Sequence, residues 1–298
     1  MLLCVVESSG SSPGRQGFKM AVAEDAMTGS IGGGIMEHKF VEMAREKLFE
    51  TEMALIRKQF HRKSAVKDQS GMICSGEQSI LFYRLNENSL PAIRKIISTL
   101  EENKNGVLEI SGPAFSFSAE SDREIDFAFR QKTETDFIYK ERIGFRNHLY
   151  IIGGGHCALA LSKLMSSMDF CIHLYEEREE INTLLENEFV HEKKTVKSYA
   201  ELPELIPPGA QHYVVIMTFG YRTDDLALRS LIGKDFRYTG VLGSASKMKV
   251  LFSEWRRDGL PESRLKKIFA PVGIDIGSRT PEEIAVSIAA QLIQVKNS

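Results

Sequence analysis

The chain has 298 residues, enough for two domains with full cores. Hydrophobic residues make up 43% and charged residues 26%, an ordinary globular composition, and a formal net charge of −2 gives no reason to expect a nucleic-acid partner. No apolar stretch approaches the roughly 18 residues of a membrane span. The first residues, Met1-Leu2-Leu3-Cys4-Val5-Val6, lack the basic region and cleavage site of a signal peptide. Cys4, Cys74, Cys157 and Cys171 are scattered with no CxxC pair, which fits a reduced, cytoplasmic setting.

In chain order, residues 2–7 read as a strand that begins almost at the first residue. A core strand with nothing before it is unusual, so a preceding segment is allowed for. A small-residue loop, Ser8 to Gly17, leads to a returning strand over 18–23. Thr28 to Gly34 is a second glycine-rich loop, and it runs into a helix over 35–50. Glycines before a helix make an anion-binding geometry, although Glu37 in the first turn would repel a nearby anion. The plain alternative is close helix packing, and His38 reads as a surface or capping residue.

Gly71 to Gln78 is a third unusual loop, ahead of a strand over 79–85. Cys4, Cys157 and Cys171 sit in apolar surroundings and read as core residues. Cys74 differs because glycines flank it, and it is the candidate thiolate ligand or sulfur acceptor. A helix over 90–102 and short strands at 107–110, 115–117, 125–129 and 137–139 complete an α+β domain over 1–139. The polar run 140–147 reads as the linker.

The second domain, 148–298, opens with a strand at 149–152, Gly153-Gly154-Gly155, a helix over 156–168 and a strand over 170–175 ending in Glu176. The frame Gly153-x-Gly155-x-x-Ala158, with an acid about 20 residues on, matches the dinucleotide fingerprint. Gly153 permits the sharp turn. Gly155 leaves room for a phosphate near the backbone, and the helix offers it unpaired N–H groups. Glu176 is placed to accept hydrogen bonds from ligand hydroxyls such as those of a ribose.

A helix over 179–189, an edge strand over 195–199, a strand over 212–219, a helix over 224–232 and a strand over 239–242 follow. Next come Gly243-Ser244-Ala245-Ser246, a helix over 247–258 that buries Trp255, and a short apolar run at 268–271. Thr280-Pro281-Glu282-Glu283 reads as a capping box opening the last helix. This alternation predicts a Rossmann-like, doubly wound parallel sheet. Ligands bind at the carboxyl ends of such strands. The candidate contacts are therefore Gly153, Gly154, Gly155, His156, Glu176, Thr218, Gly243 and Ser244, with Gly32, Gly33, Gly34 and Cys74 from the first domain.

The segments GSSPGRQGFKM, GSIGGGIMEHKFVEMAR and GMICSGEQSILF resemble the N-terminal domain of XdhC/CoxI proteins. IIGGGHCALAL, VLGSASKMK and PVGIDIGSRTPEEIAVSIAAQLI resemble their C-terminal Rossmann domain. The resemblance covers nearly the whole chain. It implies a xanthine dehydrogenase accessory factor that binds molybdenum cofactor (molybdopterin), holds it for sulfuration and hands it to apo-xanthine dehydrogenase or a related molybdenum hydroxylase. A cysteine desulfurase is the implied sulfur source; Cys74, from its glycine-flanked loop, is the candidate metal ligand, and a homodimer is the expected assembly because dimers are common. Such a protein is a cofactor chaperone rather than a turnover enzyme.

Two departures stand out. Ile35 replaces a cysteine found in many relatives after the glycine run, and Phe219 replaces a histidine found after the fourth Rossmann strand. Two other readings remain: an NAD(P)-dependent oxidoreductase, which the fingerprint favours and the lack of a clear catalytic set disfavours, or a ligand-sensing module on the same fold.

Overall fold

The computed structural model describes residues 1–60, 76–112, 114–119, 125–133 and 135–298. The chain divides into two compact units, Met1–Gly144 and Phe145–Ser298.

The first unit contains β1 (Leu2–Gly10), β2 (Lys19–Val22), β3 (Met27–Gly29), α1 (Gly34–Lys47), β4 (Ala54–Phe60), β5 (Gly76–Tyr83), α2 (Leu90–Glu101), β6 (Gly106–Ser111), β7 (Phe115–Ser118), β8 (Phe127–Gln131) and β9 (Phe137–Ile143). Its strands form two antiparallel sheets, ordered β3-β2-β1-β5-β4 and β7-β6-β9-β8. Leu3, Val5, Ile80 and Phe82 pack under Met36, Phe40, Val41 and Ala44 of α1. Cys4, Val6, Leu81 and Tyr83, on the opposite face, pack against Leu108, Ile110, Phe137 and Tyr139 of the second sheet. Burial on both faces explains why Leu3 to Val6 is apolar at every position rather than alternating.

The segment expected as linker is partly strand. Lys140 to Ile143 belong to β9 and pair with β6, Lys140 opposite Glu109 and Gly106 opposite Ile143. The polar composition misleads because Glu141 is buried, accepting from Tyr139 Oη at 2.8 Å and pairing with Lys19 Nζ at 2.5 Å.

The second unit contains β10 (Asn147–Ile152), α3 (His156–Met165), β11 (Phe170–Glu176), α4 (Asn182–Leu185), β12 (Glu192–Thr195), α5 (Leu202–Leu205), β13 (Gly209–Ile216), α6 (Tyr221–Leu231), β14 (Phe236–Val241), α7 (Ala245–Arg257), α8 (Glu262–Leu265), β15 (Ile268–Phe269) and α9 (Pro281–Lys296). Its six strands are all parallel, in the order β12-β11-β10-β13-β14-β15. One sheet face packs on α3 and α9 through Leu161, Met165, Ile288 and Leu292. The other packs on α6 and α7 through Leu228, Leu231, Leu251 and Trp255. This is the doubly wound α/β arrangement the alternation predicts, and the first unit is α+β. The order reverses direction between β10 and β13, so the switch-point crevice lies there.

The α9 capping box forms as expected: Thr280 Oγ1 accepts from Glu283 N and Glu283 Oε2 accepts from Thr280 N. The helix expected over 179–189 shrinks to one turn. Asn187 ends it, because its buried amide donates to Ser162 Oγ at 3.0 Å while its oxygen accepts from Phe189 N. The edge strand lies at Glu192–Thr195 rather than over 195–199, where Ser198 caps a short 3₁₀ turn instead. Helix α6 starts earlier than expected, since Thr223 Oγ1 accepts from Gly220 N and secures an additional turn.

Candidate functional site

The carboxyl ends of the parallel strands gather the glycine turn, Glu176, Thr218 and the Gly243-Ser244 turn. Gly153 has φ +106°, and a Cβ there would meet the Met217 carbonyl oxygen at 2.4 Å. Glycine is therefore required by the fold at this position. Gly154 donates its N–H to Glu176 Oε2 at 2.6 Å, and its carbonyl accepts from Thr183 Oγ1 at 2.5 Å. Gly155 is different. Its backbone is extended, at φ −75° and ψ −173°, and a Cβ there would meet nothing within 4 Å. It is the N-cap of α3 and supplies no side chain to the orphan N–H groups of the first turn. Exposed His156 follows as the first helical residue. Open space in front of uncapped helix N–H groups is a geometry that can accept an anion.

Glu176, expected to face ligand hydroxyls, is already engaged by donors of its own chain. It is buried, and its carboxylate accepts from Gly154 N, Glu177 N and Arg178 N, from Arg178 Nε and Nη2 at 2.9 Å each, and from Tyr199 Oη. A ribose hydroxyl would have to displace one of these donors. Burial alone would raise its pKa, but the hydrogen bonds from Arg178 and the backbone outweigh it and hold the group ionised below its ordinary range. Glu176 thus braces the glycine turn and aims Arg178. The Arg178 guanidinium lies 5.1 Å from the centroid of Phe219, a ring 84% exposed beside the crevice.

Thr218 is held by buried Asp224, which accepts from its N–H at 2.9 Å and its Oγ1 at 2.7 Å. Lys247 Nζ pairs with the other Asp224 oxygen at 2.6 Å. This ties the ends of β13 and β14 together and sets a partly exposed ammonium at the crevice. Ser244 caps α7, accepting from Lys247 N, and a Cβ on Gly243 would meet Met248. Sequence reasoning missed Arg178, Asp224 and Lys247. The only available signal was their position a few residues past the candidate turns.

In the first unit the glycine loop before α1 holds its own anion. Glu37 Oε2 accepts from Ile31 N, Gly33 N and Ser30 Oγ at 2.7–2.9 Å. Of the expected contacts Gly32, Gly33 and Gly34, the Gly33 N–H is thus engaged by Glu37, while α1 itself has no side-chain cap. Gly32 (φ +127°) packs so tightly that a Cβ would lie 2.5 Å from Gly14 N. Ser12 Oγ and Gly14 N both donate to Gln78 Oε1, which joins the Ser8 to Gly17 loop to β5. Ile35 is exposed. Cys74 lies outside the described residues. Cys4 and Cys171 are buried as expected, and burial pushes their thiols up to about 12 and about 11. Cys157 is half-buried, with its thiol likewise raised by burial.

A separate cleft of about 750 Å³ opens where β13 and β14 begin, lined by Gly209, Phe236, Arg237 and Arg264 among others. It lies at the opposite end of the strands from the glycine turn.

Residues 149–292 match the family described as the XdhC Rossmann domain, and residues 1–58 match the XdhC and CoxI family. The chain is 25% identical over 298 residues to the uncharacterized protein YqeB of Escherichia coli strain K12, covering 99% of this chain and 43% of that one. It is 28% identical over 167 residues to a probable xanthine dehydrogenase subunit of Bacillus subtilis strain 168, covering 55% of this chain and 47% of that one. The chain thus spans less than half the length of either curated relative. A crystal structure described as a xanthine dehydrogenase from Bacillus halodurans superposes with a TM-score of 0.74 at 22% identity, over 99% of this chain and 91% of that one. That likeness is one of fold.

Proposed function

The chain belongs to the XdhC and CoxI family, and from that premise we propose that it is an accessory protein of xanthine dehydrogenase or a related molybdenum hydroxylase. Its cargo is molybdenum cofactor, which it holds for sulfuration and delivers to the apoenzyme. The observation that carries this reading is the Gly155 cradle: unfilled space before uncapped N–H groups, with the cationic donors Arg178 and Lys247, each paired to a buried carboxylate, at the same strand ends. A phosphate-bearing cargo fits that chemistry. The exposed Phe219 and Tyr221 rings offer flat apolar surface to a pterin. A thiolate for the soft metal would come from Cys74, a role that rests on its sequence context alone. A cysteine desulfurase as sulfur source, a homodimer and a cytoplasmic location belong to the same proposal. Among the described residues no helix is long and apolar enough to cross a membrane.

The competing reading is NAD(P)-dependent redox chemistry, favoured by the glycine fingerprint. It is weakened because Glu176, the acid that a ribose diol would use, is taken by Arg178 and the backbone. The deciding experiment purifies the protein from cells that make molybdenum cofactor and analyses the bound ligand by mass and metal content. Molybdopterin with molybdenum supports the proposal. NAD(P) at one equivalent, with steady turnover of a small carbonyl substrate, refutes it.

A further inference from the structure

The amino ends of the parallel strands carry a second cluster, at the other end of the sheet from the Gly155 cradle. Register creates it. His148 of β10 pairs with Cys171 of β11 and with His212 of β13, and Tyr150 pairs with His173. Residues two apart share a strand face, so His148, Cys171 and His173 lie on one side of the sheet. Nδ1 of His148 is 3.1 Å from Nε2 of His173. One ligand atom each from His148, Cys171 and His173 lies within 4.8 Å of the other two. Tetrahedral zinc separates two imidazole nitrogens by about 3.3 Å, and a nitrogen from a thiolate sulfur by about 3.6 Å, given its bond lengths. The nitrogen–nitrogen edge is already near that span, and the sulfur has about 1.2 Å at most to close.

The surroundings match a metal site as well. His173 Nδ1 lies 2.7 Å from Glu192 Oε2 of edge strand β12. A carboxylate on one ring nitrogen fixes the tautomer and leaves the lone pair on the other, the arrangement found behind metal-bound histidines. His191 is excluded through its Nδ1, which accepts from Ile172 N at 3.0 Å. His212 gives its Nδ1 to the Pro207 carbonyl at 2.7 Å, and its ring centroid is 5.1 Å from that of His148. Cys171 is buried while both histidine ligands are half-buried, so the site has a dry floor and an open side.

We propose that His148, Cys171 and His173 bind a borderline-soft divalent cation, zinc(II), with Glu192 as the positioning residue on His173 and water in the fourth position. Two imidazoles and a thiolate suit zinc rather than magnesium or calcium. Binding releases the Cys171 thiol proton to solvent and forms the Zn–S bond. The hydrogen between the two imidazoles moves to Nε2 of His148, freeing both facing nitrogens for the metal. No electron is transferred. The site is independent of the cargo reading.

The full chain, stripped with a chelator, is titrated with cobalt(II) as spectroscopic probe and then with zinc(II). One equivalent of cobalt should bind with a thiolate charge-transfer band and intense four-coordinate d–d bands, and zinc should displace it. Cys171→Ser should abolish the charge-transfer band. His173→Asn, at a half-buried position, should weaken binding at least tenfold in a protein shown to be folded by circular dichroism. Glu192→Gln should weaken it about tenfold. Absence of the bands in wild type, their survival in Cys171→Ser, their loss in Cys74→Ser, or unchanged affinity in folded His173→Asn would each overturn the proposal.

Discussion

Two glycines of the same turn should respond differently to substitution. At Gly155 the backbone is already extended, and a new side chain meets nothing within 4 Å. Reduced freedom of the unfolded chain favours Gly155→Ala by about 0.4–1 kcal/mol, a gain offset by the poorer N-cap preference of alanine, so Gly155→Ala and Gly155→Val both stay near neutral. At Gly153, φ is +106° and the Met217 carbonyl oxygen stands 2.4 Å from the new Cβ. Strain of about 1–3 kcal/mol plus the backbone shift lowers the melting temperature of Gly153→Ala by about 5–10 °C. Binding should show the contrast. A valine at 155 fills the space a phosphate oxygen needs to reach the α3 N–H groups. Each charge-assisted hydrogen bond lost costs about 1.5–3 kcal/mol, so losing two weakens binding about 100-fold or more. Differential scanning calorimetry and titration with molybdenum cofactor, released anaerobically from a molybdoenzyme, measure both quantities on each variant. A folded Gly155→Val protein that keeps wild-type affinity would remove the cradle from the site.

Cys74→Ser should impair retention or sulfuration of the cofactor in an apo-xanthine dehydrogenase activation assay, whereas Cys4→Ser should act through stability alone; equal activation by both would refute the Cys74 role. Asp224→Ala strips the partner from Lys247 and from the Thr218 N–H, and should destabilise the protein by about 2–4 kcal/mol in urea unfolding; a change below about 1 kcal/mol would show that the network is slack. The Glu37 pKa is depressed in the folded state, burial being outweighed by Ser30 and the loop N–H groups. Its contribution to stability is therefore full above the ordinary carboxylate value of 4.5 and fades as pH falls through the lowered one. Glu37→Gln should flatten the acid limb of the stability curve, and an unchanged limb would refute the assignment. Trp255→Ala, which empties a fully buried site and removes one of the donors to Asp225, should cost about 3–5 kcal/mol, read as a fall in the urea midpoint.

Periodicity carries the second unit well because each parallel strand is buried on both faces and each helix is signalled locally. Leu149 to Ile152, the α9 capping box and buried Trp255 were all legible in this way. Side-chain allegiance was not. Glu176 occupies the fingerprint position of a ribose acceptor, yet Arg178 folds back onto it, and nothing in the spacing distinguishes the two outcomes. Glu37 reads as a dipole-matching acid, but it completes the glycine loop instead. The histidine cluster could not be read at all. His148 is remote in sequence from Cys171 and His173 and meets them only through strand register. The polar run at 140–143 looked like linker because a buried carboxylate with a lysine partner mimics solvent exposure in composition.

The central place of β1 has a consequence for how the first unit is made. Its residues Leu3 to Val6 are fully covered in the native state, and Leu2 pairs with both Ala21 and Tyr83. The β2 partner leaves the ribosome soon after, but β5 comes only once more than half of the unit has been synthesised. Until then one edge of β1 has unpaired backbone groups beside an apolar run, a template for pairing with another nascent chain. Non-local closure of this kind is slow. Yield of active protein should therefore depend on holding chaperones and on translation speed through β4 and β5, more than on the equilibrium stability of the finished fold.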